Sequence, residues 1–113
     1  MSSLHERMEK LEFHQQLLLK MADTSDYPFY KIVIEKGISR GEMEEVFSLC
    51  EEVNQRFEEL KEEGFVGFSP LLIHFVGMLN PKLNPKETIA ALYEQGYYRA
   101  LMTELVALIE EVE

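Results

Sequence analysis

Cysteine is almost absent from this chain of 113 residues, and acidic residues outnumber basic ones. The single cysteine, Cys50, excludes an internal disulfide and a zinc site built from four thiolates. A lone thiol suits a reducing compartment, so we expect a cytoplasmic protein. Eleven Lys and Arg stand against 21 Asp and Glu, which gives a net charge of -10 at pH 7. Because this charge repels a phosphate backbone, we expect no nucleic-acid ligand.

The chain also lacks an apolar run long enough to cross a membrane. The uncharged stretch 64–81 is interrupted, because Ser69-Pro70 predicts a helix start and Asn80-Pro81 predicts its end. About ten residues remain, where a bilayer requires about twenty. The first residues show no basic segment leading into an apolar core, so we expect neither secretion nor membrane association.

Motifs that carry chemistry are missing as well. No histidine has a Glu three residues before it, as metal sites of helical bundles commonly do, and no glycine-rich phosphate loop occurs. We therefore expect no catalytic residue, no metal site and no cofactor. His74 is the single candidate for acid–base chemistry, and we interpret it as a core histidine of an apolar helix. Enzymatic use of His74 is a secondary hypothesis that requires an acid or hydroxyl within about 3.2 Å of the ring.

Helix-start patterns recur along the chain, and no alternating pattern indicates a strand. Ser3 with Glu6 and Ser39 with Glu42 form two capping boxes, and Asn84 precedes a third start. The sequence predicts an all-α, compact bundle of about six helices in one domain, 1–113, with an N-terminal amphipathic helix in 3–22 and a helical core in 24–113. The predicted helices span 4–22, 27–36, 40–63, 70–79, 85–95 and 97–112. The fourth is apolar on every side except at His74, so we expect it at the centre of the bundle.

The N-terminal helix carries a narrow apolar seam whose members are separated by steps of four and three. This spacing predicts a short coiled-coil arm, and Arg7 and Glu12 fall at positions that attract across two parallel chains. Alternatively, the helix is an ordinary amphipathic member of its own bundle. A domain of this size buries only about two-thirds of its unfolded surface, so we expect self-association to complete the bundle. The candidate self-association residues are Leu4, Met8, Leu11, Gln15 and Leu18.

The third helix has a strongly acidic face. A docking surface for a basic protein partner is one interpretation of this face, and a solvated surface that maintains solubility is the other. The candidate docking residues are Glu44, Glu45, Glu51, Glu52, Glu58 and Glu59.

Several runs resemble the YhaI-like family, short proteins of Bacillus and its relatives with no assigned activity. They are Tyr27-Pro28-Phe29-Tyr30, Lys36-Gly37-Ile38-Ser39, Gly64-Phe65-Val66 with Phe68, and the segment 87–96. The resemblance implies an all-helical, cytoplasmic bacterial protein and supplies no site residues. Because several helices carry more apolar surface than a chain of this size can enclose, we predict a non-enzymatic, self-associating adaptor or regulator. The alternatives are an acidic helical module that binds a basic protein partner and, less favoured, an enzyme that uses His74.

Overall fold

The computed structural model describes residues 3–112, and every regular element within that range is an α-helix. This confirms the all-α prediction. None of these helices is long and apolar enough to span a bilayer. The helices are α1 (Leu4–Met21), α2 (Pro28–Glu35), α3 (Arg40–Glu62), α4 (Ser69–Met78), α5 (Pro85–Gln95) and α6 (Arg99–Val112).

Local capping groups determine where three of the helices begin. The Ser39 hydroxyl accepts from the Glu42 backbone N–H at 3.1 Å, and the Glu42 carboxylate accepts from the Ser39 N–H at 3.0 Å. Ser3 caps α1 through its hydroxyl, and Asn84 caps α5 through its side-chain oxygen. These contacts satisfy backbone donors that the first helical turn leaves without partners, so the predicted starts of α1, α3 and α5 are confirmed.

Helix α2 receives its N-terminal cap from a distant part of the chain. Tyr27, at the N-cap position, makes no capping bond with its side chain. Instead, the side-chain oxygen of Gln95, at the end of α5, accepts from the backbone N–H groups of Phe29 at 2.8 Å and Tyr30 at 3.2 Å. This contact joins the first turn of α2 to the last turn of α5.

The hydrophobic core lies within α2–α6 and the loops between them. Helix α5 packs against both α2 and α6, and α4 packs against α3 and α6. Aromatic and aliphatic side chains fill the centre without solvent exposure, as expected for a close-packed interior. The largest fully buried side chains are Phe29, Phe57, Phe75, Ile89, Leu92, Leu101, Met102 and Leu105.

Helix α4 lies at the surface of the bundle, and the prediction of a central position was wrong. Leu71, Leu72 and Phe75 face the core, whereas Ile73 is 72% exposed and Met78 is 64% exposed. The central position belongs to α5, whose buried Ile89 and Leu92 lie between two neighbouring helices. His74, the polar residue at the middle of α4, lies on the exposed face, so its assignment to the core left no position to mark that face.

Helix α1 extends away from this core. It is 18 residues long and contributes no buried residue. Such a helix is about 27 Å in length, and the described chain measures 65 × 25 × 23 Å along its principal axes. The elongated dimension is consistent with α1 projecting as an arm from the body that α2–α6 form.

The thiol of Cys50 is expected to be unreactive in the folded protein. Cys50 is fully buried, and burial together with the nearby Glu51 carboxylate raises its pKa from 9.0 to about 12. At pH 8 the thiolate fraction should therefore be about a thousandfold lower than in the unfolded chain. Labelling with a thiol-specific disulfide reagent should be slow in buffer and rapid in 6 M guanidinium chloride. Rapid labelling in buffer would contradict the burial of this side chain.

Glu42 is expected to make folding stability depend on acidic pH. Besides the Ser39 N–H, its carboxylate accepts from Lys82 Nζ at 2.9 Å and from Asn80 Nδ2 at 2.9 Å. These bonds, the Ser39 bond foremost, lower the pKa of Glu42 from 4.5 to about 2. Because the folded state favours the ionised form, the stabilisation is complete above pH 4.5 and is lost as the pH falls towards 2.

The Glu42→Gln variant tests this pH dependence. In urea titrations the wild type should be more stable than the variant at pH 7, and the difference should shrink between pH 4.5 and pH 2. Glu45→Gln is the matched control, because Glu45 is an exposed carboxylate in the same part of α3. An equal loss of stability in both variants would show that the Glu42 contacts contribute nothing specific.

Candidate self-association surface

The predicted seam forms one exposed line along α1. Leu4 is 72% exposed, Leu11 is 67% exposed and Leu18 is 62% exposed. Met8 and Gln15 lie on the same line and are exposed as well. Side chains three and four residues apart share one helix face, so the five predicted residues form a continuous strip of apolar surface with one amide.

Among residues 3–112, no part of the body buries this strip. An isolated helix of this length is marginal in water, because most helical stability in proteins comes from packing an apolar face. The alternative that α1 belongs to the core of its own bundle was wrong, since none of its residues is buried. In its second half Leu17 and Leu18 are exposed as well. The arm interpretation therefore agrees with the geometry of α1.

A second apolar stripe on α1 was not predicted. Phe13, Leu17 and Met21 are separated by four residues each, and they are 56%, 40% and 80% exposed. At 100° per residue, these positions lie on the side of the helix opposite or oblique to the seam. The four-residue spacing is visible in the sequence. Helix α1 thus has apolar side chains on two faces over its second half.

His74 is exposed and paired, so its interpretation as a core histidine was wrong. Its Nε2 lies 2.6 Å from Glu52 Oε1 on α3, and the two side chains are 45% and 64% exposed. The acid that acid–base chemistry would require is therefore present within hydrogen-bond distance. The pair lies beside an open groove of about 610 Å³ that Val53, Leu60 and Phe65 help to line. Enzymatic use of His74 stays a prediction.

The acidic face of α3 is partly occupied by contacts within the chain. Glu51 accepts from the Tyr98 hydroxyl at 2.7 Å, and Glu59 pairs with Arg56 at 3.1 Å. Burial of Tyr98 and the adjoining Glu51 raise the pKa of this tyrosine to about 12, so its hydroxyl remains a donor at neutral pH.

With Glu52 bound to His74, three of the six predicted docking carboxylates have partners. The other three are all solvent-exposed: Glu44, Glu45 and Glu58. Within residues 3–112, no three His, Cys, Asp or Glu side chains converge as metal ligands.

Comparison with protein-family models places the chain in a defined family. A model described as "Protein of unknown function (DUF1878)" matches residues 1–110. The chain belongs to the DUF1878 family. The match covers the exposed arm as well as the helical body, so both are parts of one DUF1878 domain. The family description supports the expected domain of unknown function, and the narrower resemblance to YhaI-like proteins of Bacillus stays a prediction.

Proposed function

We propose that the protein is a non-enzymatic homo-oligomer that acts as an adaptor or regulator and that assembles through the seam of α1. The observation that supports this most strongly is the absence of any buried residue in an 18-residue helix with a line of large apolar side chains. Covering that line with the same line of another copy removes it from water, and apolar burial is the main driving force of association. The α1 helices of the associated copies then form a common stem, and this stem joins the bodies formed by α2–α6.

A parallel arrangement of the arms satisfies the polar residues of the seam. In parallel helices Gln15 lies opposite Gln15 of the next copy, where two amides can bond to each other. In an antiparallel pair centred on the arm, Gln15 would lie opposite Leu11 and its amide would lose partners. Arg7 and Glu12 also face each other between parallel chains. These residues support a parallel stem.

Charge reversal at Arg7 and Glu12 tests the proposed stem. Arg7→Glu and Glu12→Arg should each weaken self-association several-fold, because each exposed pair contributes about 0.2 to 1 kcal/mol. An equimolar mixture of the two variants should form mixed oligomers in preference to either homo-oligomer, as should be visible by native mass spectrometry. The matched control is Glu9→Arg, which changes charge outside the seam. Statistical mixing in the charge-reversal sample would contradict the parallel stem.

A basic protein segment bound to α3 is the second candidate function. It is supported by the exposed carboxylates of Glu44, Glu45 and Glu58, on a chain whose net charge is -10. An oligolysine peptide serves as a defined probe, and its binding should weaken steeply as NaCl rises from 0.05 to 0.5 M. Replacing the three carboxylates by Gln should abolish most of the binding. Affinity that neither salt nor these replacements alter would exclude this function.

A further inference from the structure

The second apolar stripe of α1, formed by Phe13, Leu17 and Met21, has no role in a stem made by the seam alone. We propose that this stripe docks into an apolar groove on the body of a second copy, between α4, the start of α5 and the end of α6. Each arm is then covered on two sides, by a neighbouring arm and by a neighbouring body. This inference rests on the proposed function, because it requires the oligomer to exist.

The groove is an apolar depression that the chain leaves uncovered. It has a volume of about 550 Å³. Ile73 and Val76 on α4 are 72% and 40% exposed. At Gly77 an added Cβ would meet no atom within 4 Å, so the space above α4 is open. A helix can approach closely where a glycine leaves the surface flat. The residues lining the groove include Leu72, Ile73, Val76, Gly77, Pro85 and Ile109.

The protein's own arm leaves this groove open. If α1 covered the groove in the same copy, residues on both sides would be buried, yet α1 has no buried residue and Ile73 is largely exposed. The stripe on α1 and the groove on the body are therefore both present in every copy, and both are exposed to solvent. Two surfaces of this kind on one chain can cover each other reciprocally between copies.

The size of the seam is the reason to favour a second copy as the occupant. A coiled coil is recognised over at least three to four heptads, whereas α1 has 18 residues, fewer than three. A stable interface buries about 800 Å² on each partner, and five partly exposed side chains on one narrow face provide less. Contact of the opposite stripe with a body adds three large side chains on each arm. The combined surface brings the assembly nearer to the size of a stable interface.

Thiol cross-linking between two differently sized chains tests the docking. One chain carries Lys10→Cys, which lies in line with the stripe near Phe13 and leaves its three anchors intact. The other carries Lys86→Cys, which lines the groove, and a removable tag gives it a different mass. The buried Cys50 remains in both. After the chains are mixed, unfolded and refolded together, a flexible bismaleimide is added and the products are separated under denaturing conditions.

We expect the product that joins the two different chains to dominate. In the control, the second chain carries Ser48→Cys in place of Lys86→Cys, at an exposed position of α3 away from the groove. The yield of the product that joins the two different chains should then be at least tenfold lower. Two outcomes would overturn the docking while leaving the oligomer in place. In one, the two Lys10→Cys chains join mainly to each other, which means that the stripe packs against another stripe. In the other, the mixed product does not exceed the Ser48→Cys control although light scattering shows an oligomer. A monomeric sample would contradict both the docking and the proposed function.

Discussion

Replacing Leu11 by Asp is expected to convert the protein into a monomer of 13.2 kDa whose body remains folded. Leu11 lies at the middle of the α1 seam and is 67% exposed, so its side chain fills no part of the core. In an assembled stem, the carboxylate would be buried between helices without a partner. A penalty of about 3 kcal/mol for each buried charge raises the dissociation constant more than about a hundredfold.

Size-exclusion chromatography with light scattering measures the mass, and far-UV circular dichroism measures the helix content. The released arm is 18 residues long and is expected to lose part of its helix, because isolated helices of this length are marginal. Helices α2–α6 should keep their signal. Gln16→Asp introduces the same charge outside the seam and should leave the mass unchanged. Complete unfolding of the Leu11→Asp protein would instead assign Leu11 to a core.

Replacing Phe75 by Ala is expected to destabilise the body by about 3 to 5 kcal/mol. Phe75 is fully buried on α4, and its removal leaves a cavity that close-packed neighbours cannot fill. Small domains have a total stability of about 5 to 15 kcal/mol, so the variant should lie near the threshold of folding. Urea unfolding in the monomeric Leu11→Asp background separates this effect from any change in assembly.

Ile73→Ala on the same helix is the matched control. Ile73 is 72% exposed, so its truncation in the monomer should change the free energy of unfolding by no more than about 0.5 kcal/mol. If Ile73→Ala lowered the free energy of unfolding strongly and Phe75→Ala lowered it only slightly, α4 would present the opposite face to the core.

The boundaries of the helices were predictable because their causes are local. Ser39 and Glu42 satisfy each other's backbone N–H groups three residues apart, and this contact can be read directly from the sequence. The cap of α2 could not be predicted in this way. Its acceptor, Gln95, is 66 residues away from Phe29 and reaches it only after α2 and α5 have packed. Contacts of this kind follow from tertiary structure and leave no periodic pattern.

Two further features could not be predicted from the sequence: the buried face of α4 and the partner of His74. With His74 assigned to the core, nothing in the sequence of α4 decided between Phe75 and Ile73 as the buried side chain. Glu52 lies 22 residues before His74, on another helix, so no spacing rule connects the two. Both errors arose from the same assumption, that an apolar helix must be central.

The candidate seam could be predicted because it depends only on the spacing within one helix. The exposure of the seam could not be predicted, since the same spacing is typical of a helix packed in its own bundle. The structure shows that α1 contributes no buried residue, and the coiled-coil arm stays a prediction. The opposite stripe at Phe13, Leu17 and Met21 has a four-residue spacing that can equally be read from the sequence.

Sedimentation equilibrium of the 113-residue wild-type chain tests the central claim most directly. If copies of the arm cover one another, the mass measured at micromolar concentrations should be an integer multiple of 13.2 kDa, and dilution should lower it. A single species of 13.2 kDa that persists as the protein is concentrated would contradict the account, because the apolar faces of α1 would then remain in water.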